Sequence, residues 1–451
     1  MTRSGEHVPD AEMEKVLKHI STVTKLTLIA KIAKERRREK FTSLIHLLNT
    51  EYLKDCYKRL ERRKAAGIDG RTKESYSEQE ITEVIDTLYL NMRNRTYRPQ
   101  PVRKVMIPKA NGKLRSLGIP TVQDKIIQEG VARILKSIFE QSFLPVSYGY
   151  RENRDAHECL KEVNHMIMQG KVKYIIDCDI KGFFDHLDHR WLMRCIAERI
   201  SDPNFKRLIW RMLKSGVLNE GKYEQTEEGT PQGGIVSPIL ANIYLHYVLD
   251  LWIEVVEKKK FTGFIKLIRY ADDFIIGVQY KHEADQLLSD IRERLKKFGL
   301  ELSLEKTRII EFSRFAFLKR RKDGKSRTFD FLGFTHYRSK TRDGRDTVKL
   351  KTSWKKMKLA EMSLNSYLKK NRHKEIWEIL KAKLRGHYNY YGVSGNFVAI
   401  NKYYHRTIKL VYKWKNRRSQ KRSFSWEAFQ RYLLVNPLPK PKLTYAIYNT
   451  G

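Results

Sequence analysis

The sequence predicts an α+β fold followed by a separate module that is helical and basic. Three observations carry this. Short runs rich in Ile and Val, from Val172 to Ile176, Ile265 to Ile268 and Phe274 to Val278, read as strands. Long helical stretches separate these runs, which favours a mixed domain over a sandwich. From about residue 350 helical patterns dominate, and the composition shifts toward Lys, Arg and aromatic residues.

The elements follow in chain order. Residues 1 to about 45 read as a basic, largely helical extension. Met13 to Lys40 carries spaced apolar residues and ends in Lys34-Glu35-Arg36-Arg37-Arg38-Glu39-Lys40. That run fits a solvated helix face or a contact with a phosphate backbone. A second helical stretch, Phe41 to Lys64, leads into Ala65-Ala66-Gly67-Ile68-Asp69-Gly70, a loop by its two glycines. Glu227 to Pro238, with three glycines and Pro231, is another loop, and a helix is expected from Pro238 to Leu249. The tail Asn436-Pro437-Leu438-Pro439-Lys440-Pro441 is extended, because alternate prolines cannot continue a helix.

Composition narrows the function. The 451 residues suggest two or three domains. With 41% hydrophobic residues the chain can bury sizeable cores. No apolar run reaches the roughly 18 residues that span a bilayer, and the N-terminus has no apolar h-region, so a cytoplasmic protein without a membrane partner is expected. Cys56, Cys159, Cys178 and Cys195 form no CxxC pair, which leaves no zinc ribbon or redox motif. Lys and Arg number 90 against 52 Asp and Glu, a net charge of +38. Such an excess points to nucleic acid, because cations that neutralise phosphates release condensed counterions. Residues 351–451 hold 23 Lys and Arg against 4 Asp and Glu, half of the net charge. The aromatics of this segment, Trp377, Tyr388, Tyr403 and Trp414 among them, are expected in its core rather than as base-stacking platforms.

Two acidic clusters carry the chemistry. Arg269-Tyr270-Ala271-Asp272-Asp273 lies between apolar runs and reads as strand, tight turn, strand. Taken alone, its two Asp fit a solvated turn as well as a metal site. Upstream, an apolar strand runs into Asp177 and Asp179, whose side chains share a face because strand residues alternate. Should this strand neighbour the hairpin in one sheet, Asp179 and the Asp272–Asp273 pair converge. Clustered carboxylates repel unless hard cations neutralise them, and Mg²⁺ prefers oxygen ligands and substrate phosphates. Two such ions suit an in-line displacement at phosphorus.

The order of these motifs resembles group II intron-encoded reverse transcriptase/maturases. Asp179 with Phe183-Phe184-Asp185, then Thr230-Pro231-Gln232-Gly233-Gly234, then Tyr270-Ala271-Asp272-Asp273 is similar to the pattern of reverse transcriptase palms. Further blocks agree: Ala66 to Gly70, Tyr97-Arg98-Pro99 through Ile107-Pro108-Lys109, Arg115 to Pro120, Phe331-Leu332-Gly333-Phe334, Leu384 to Gly392 and Asn416 to Lys421. The resemblance covers about residues 50–445. It implies a right-hand polymerase: a basic helical extension (1–45), an extension loop and fingers (46–170), a palm whose antiparallel sheet packs on helices (171–340), and a helical thumb or maturase domain (350–451).

The resemblance also implies roles. Asp179, Asp272 and Asp273 match the family's metal-binding triad and would hold two Mg²⁺ for attack of a primer 3′-hydroxyl on a dNTP. Asp177 and Asp185 are read as supporting neighbours. Lys109 and Arg115 fall where the family contacts the triphosphate, Arg suiting bidentate and Lys point-charge contacts. Phe184 stands where a bulky residue meets the sugar and excludes a 2′-hydroxyl. Gln232 is expected near the incoming nucleotide and Tyr270 beside the primer end. Lys306 fits a general acid for leaving pyrophosphate or a solvated lysine. The implied partners are group II intron RNA, an RNA template with a DNA primer, dNTPs and target DNA. Many family members continue into an HNH endonuclease. No such block is present here, so DNA cleavage by this polypeptide is not expected and the priming 3′ end would be made elsewhere. Other readings stay open: a splicing maturase with little polymerase activity, or a domesticated relative in DNA repair or phage defence.

Overall fold

The computed structural model describes residues 21–108, 114–219, 222–230, 233–314, 327–341, 343–417 and 424–448. In chain order the main elements are α1 (Thr22–Glu35), α2 (Thr50–Arg59), α3 (Glu78–Arg93), β1 (Val102–Pro108), β2 (Leu114–Ile119), α4 (Val122–Phe139), α5 (Ala156–Met168), β3 (Tyr174–Asp179), α6 (His189–Ala197), α7 (Pro203–Leu213), β4 (Val217–Asn219), β5 (Lys222–Glu224) and α8 (Ser237–Leu245). They continue with β6 (Ile265–Tyr270), β7 (Asp273–Val278), α9 (Lys281–Lys297), β8 (Arg308–Glu311), β9 (Thr328–Phe331), β10 (Phe334–Lys340), β11 (Asp346–Thr352), α10 (Trp354–Lys370), α11 (Trp377–Tyr391), α12 (Phe397–Lys415) and α13 (Trp426–Val435). The fold is α+β, as expected. The chain divides into two compact units. One comprises Met1–Glu152, Asp179–Lys258 and Ser289–Ser303, and the other Asn153–Cys178, Lys259–Leu288 and Leu304–Gly451.

The first unit is built around α4. Ile126, Ile127, Val131, Ile134, Leu135 and Ile138 on this helix are buried, and α1, α2 and α8 pack against it. Thr121 caps its N-terminus by accepting the N–H of Asp124. Asp124 is itself buried and accepts the Tyr97 hydroxyl at 2.5 Å. The 65–70 loop lies on the start of α4. A Cβ on Gly67 would stand 2.7 Å from the Thr121 backbone, so only glycine fits there. Arg103 and Lys125 donate to the carbonyls of Ala66 and Ala65, which pins the loop. A four-stranded sheet, in the order β2-β1-β4-β5, completes the unit.

The second unit holds the other two sheets. One runs β6-β7-β3-β8, the other β11-β10-β9. Helix α5 packs on β6, and Asn164 of α5 donates to the Val348 carbonyl on β11. The helices from Trp354 onward enclose a core of Trp377, Leu380, Leu384, Tyr388, Ile400, Tyr403, Val411, Trp414 and Phe429. The aromatics of the basic segment are thus largely structural, as expected, although Trp354 is 65% exposed.

Among the described residues the expected helices and strands are present with shifted bounds; residues 1–20 of the expected basic extension lie outside them, and its helix ends at Glu35, so most of the Lys34–Lys40 run follows the helix rather than forming its face. The first strand lies at Tyr174–Asp179 rather than 172–176, so it carries both Asp177 and Asp179 within it. The helix expected over Phe41–Lys64 is confined to Thr50–Arg59, where the Asn49 side chain caps it. Residues 436–441 form no regular element, and all four cysteines are buried. The helix after the 227–238 loop begins at Ser237 and continues through wide turns to Lys260. By length and composition Ser237–Lys260 reaches the measure of a membrane span, contrary to the sequence reading, but 67% of its apolar window is buried inside the protein.

Candidate active site

The Tyr270-Ala271-Asp272-Asp273 segment is the tip of an antiparallel hairpin. Tyr270 faces Asp273 across the end of the β6–β7 pair. Ala271 has φ 58°, the left-handed conformation that two-residue hairpin turns require at their first position. Phe274 to Val278 is buried throughout, because β7 lies between β6 and β3 and is covered on both faces. Tyr270 and Asp272 are half-buried and Asp273 is exposed. Arg269, with no solvent exposure, donates Nη1 to the Ala271 carbonyl at 2.9 Å and braces the turn from behind. Sequence reasoning assigned Arg269 no role.

Strand β3 is the neighbour of β7. The Lys173 N–H donates to the Val278 carbonyl, joining the start of β3 to the end of β7. The two strands therefore run antiparallel. β3 ends on Asp179, and β7 begins on Asp273. Cys178 is buried, and Asp177 and Asp179 are half-buried. Asp177 lies opposite Arg308 of β8 and meets its Nε at 3.4 Å, a structural ion pair. Among the described residues, no three His, Cys, Asp or Glu side chains form an assembled metal-holding group. The fit to a hard cation rests on the donor chemistry, carboxylate oxygens alone.

Phe184 sits in a tight turn of the first unit. Asp185 N–H donates to the Gly182 carbonyl, and Gly182 has φ 56°. Phe184 is 7% exposed, and its ring meets Phe183 edge-on at 5.2 Å. It borders a cavity of about 140 Å³ together with Ser116, Gly118, Asp185, Gly229 and Thr230. Thr230 is buried, and its hydroxyl has no partner among the described residues. Arg115 is exposed on β2, opposite Ile107 of β1 and next to Ser116. The first unit thus brings the Arg115 strand and Phe184 together around one cavity. Lys109 and Gln232 lie outside the described residues.

Lys306 is exposed on the turn that precedes β8. Tyr390, from the aromatic block at Leu384–Gly392, donates its hydroxyl to the Leu332 carbonyl at 2.9 Å. Burial first, then nearby Tyr391, Tyr270, Cys159 and Asp273, raise its pKa. The aromatic block therefore lies within electrostatic reach of the hairpin in the same unit.

Comparison with known proteins gives the family. The model of the reverse transcriptase (RNA-dependent DNA polymerase) family matches residues 107–336. The group II intron-encoded protein LtrA of Lactococcus lactis subsp. cremoris is 34% identical over 84% of this chain and 75% of its own length. Protein YkfC of Escherichia coli K12 is 32% identical over 55% of this chain and 70% of its own. Nuclear intron maturase 4, mitochondrial, of Arabidopsis thaliana is 23% identical over 54% and 29%. The paired acidic hairpin, the strand beside it and these relationships lead to one conclusion: the chain belongs to the reverse transcriptase family, as an RNA-directed DNA polymerase of the group II intron-encoded type.

Proposed function

We propose that the chain copies RNA into DNA at a site formed by Asp179, Asp272 and Asp273, and that it assists splicing of its own intron RNA. The observation that carries the polymerase reading is the antiparallel pairing of β3 with β7, since these strands end and begin on the carboxylates in question. In this reading 46–170 are extension loop and fingers, 171–340 the palm, and 350–451 the thumb or maturase domain.

The three carboxylates would hold two Mg²⁺. Bound there, the ions would make the primer hydroxyl a better nucleophile and offset charge on the phosphates. The chain's own residues do the positioning. Arg115 and Lys109 take the triphosphate of the dNTP, Gln232 lies along the nucleotide, and Phe184 meets its sugar. Tyr270 supports the primer end, and Lys306 gives a proton to the departing pyrophosphate. The basic helices from Trp354 onward and the basic N-terminus hold intron RNA through its phosphates. Target DNA enters as the strand whose 3′ end primes synthesis.

The test is primer extension on an RNA template with Mg²⁺ and dNTPs. Wild type extends and Asp272→Ala does not, by at least about a thousandfold, while both bind the primer–template. Equal extension by both would move the catalytic assignment elsewhere. Extension by neither, with intron splicing retained, would leave the maturase reading alone.

A further inference from the structure

The turn that carries Phe184 is clasped by a segment remote in sequence. Gly229 N–H donates to the Leu187 carbonyl, and Thr230 N–H donates to the Phe184 carbonyl, both at 2.8 Å. The two segments are thus tied backbone to backbone at two points. Gly229 has φ 84°, and a Cβ there would stand 2.7 Å from the carbonyl oxygens of Phe184 and Asp185. Any side chain would push the two segments apart.

His189, at the start of α6, holds the other side of the clasp. Its Nε2 lies 2.5 Å from the Gly229 carbonyl. A carbonyl only accepts, so Nε2 carries the proton. The imidazole is 2% exposed and lies edge-on to Trp210 at 6.0 Å. Burial lowers its pKa, which favours the neutral ring, and the Gly229 carbonyl selects the tautomer with the proton on Nε2. His189 is not among the residues that line the cavity beside Phe184.

We propose that His189 and Gly229 are positioning residues for the Phe184 ring, and that through it they set how well the enzyme distinguishes deoxyribonucleotides from ribonucleotides. The inference rests on the reading that Phe184 meets the sugar. The physical chain is short. The Phe184 carbonyl is bonded to Thr230, the adjacent Gly229 is bonded to His189, and the Phe184 side chain is wedged against Phe183. A shift of the 229–230 segment passes to the Phe184 backbone with no flexible link between them. Exclusion of a 2′-hydroxyl by van der Waals contact changes over a few tenths of an ångström, so a small displacement of the ring alters selection before it alters chemistry.

The experiment compares kcat/KM for dCTP and CTP in primer extension by the full chain. Five variants are needed: Phe184→Ala, His189→Leu, His189→Gln, Gly229→Ala and the double variant Phe184→Ala with His189→Leu. His189→Leu and Gly229→Ala should each lower the dCTP/CTP ratio about tenfold, and His189→Leu, which lies outside the cavity lining, should hold kcat for dCTP within about threefold. His189→Gln, which keeps an N–H donor near the Nε2 position, should recover most of the ratio. Added to Phe184→Ala, His189→Leu should change the ratio no further, because both act through one ring. If Phe184→Ala itself leaves the ratio unchanged, the reading of Phe184 fails and this inference falls with it. If Phe184→Ala lowers the ratio but His189→Leu and Gly229→Ala do not, the positioning role alone is overturned. Equal loss of both nucleotides, or unfolding of both variants by circular dichroism, also overturns it. If only one variant fails to fold, the other decides.

Discussion

Arg269 donates its guanidinium to the carbonyl of Ala271, two residues along the chain and inside the turn that presents Asp272 and Asp273. The side chain is wholly buried. Its removal leaves a buried carbonyl without this donor and an unfilled space behind the turn. Arg269→Met should cost about 2–4 kcal/mol of stability. Primer extension should fall at least about tenfold through loss of turn geometry. Urea denaturation reads the first effect, and single-turnover extension reads the second.

Ala271 holds its left-handed φ against the ordinary preference of a residue with a Cβ. Ala271→Gly should change stability by less than about 1 kcal/mol, because relief of strain is offset by the freer unfolded chain. It should leave extension near wild type. Ala271→Val places a β-branched residue in the same conformation, in a position only 6% exposed. It should displace Asp272 and lower extension by about a hundredfold. Side-by-side kinetics of the two variants check this.

His336 of β10 predicts an acid-sensitive stability. Its ring stacks on Phe329 at 4.5 Å, neither nitrogen has a partner among the described residues, and burial lowers its pKa from 6.5 to about 3. Between these values the unfolded chain binds a proton that the folded chain does not. Its contribution to stability is therefore complete above pH 6.5 and is lost as pH falls toward 3, at up to about 1.4 kcal/mol per unit. His387, lowered to about 4 by burial, acts in the same direction. His336→Phe keeps the stacking and removes the proton site. Melting curves from pH 7 to pH 4 should be flatter for this variant, and its stability at pH 7 should be equal or higher.

RNA binding should weaken steeply with salt. Lys355, Lys358 and Lys369 are exposed on α10. Replacing the three with Gln should reduce the slope of log K against log salt by about one for each phosphate no longer neutralised, and weaken RNAs of different sequence alike. Filter binding at several ionic strengths measures it. A salt-insensitive affinity would overturn the phosphate reading of this module.

The strands around the acidic residues were legible because their apolar runs are continuous and bounded by turn residues. The buried position of β7 explains that continuity. The pairing of β3 with β7 was legible only as a condition, since nothing in the local pattern says which distant strand lies alongside. The sheet of β1, β2, β4 and β5 was missed. Arg103, Lys104 and Arg115 interrupt its alternation, and β4 and β5 are three residues each. Arg269 and His189 were invisible for a different reason. Their roles depend on a side chain reaching a carbonyl, and no spacing encodes that. The family's motif order supplied Phe184 and Arg115, and the first unit brings the strand of one and the turn of the other around one cavity.

Among the described residues from Trp354 to Val435, most rings pack inside, Trp354 and Phe397 excepted, and most lysines face outward. This divides the work between two sets of positions that need not change together. The interior fixes the module's shape through aromatic packing, while the exterior can gain or lose cations at little cost to folding. On the proposed RNA-binding reading of this module, a lineage could therefore retune which RNA it grips by surface substitution alone. An engineer could do the same, redistributing lysines over an unaltered scaffold.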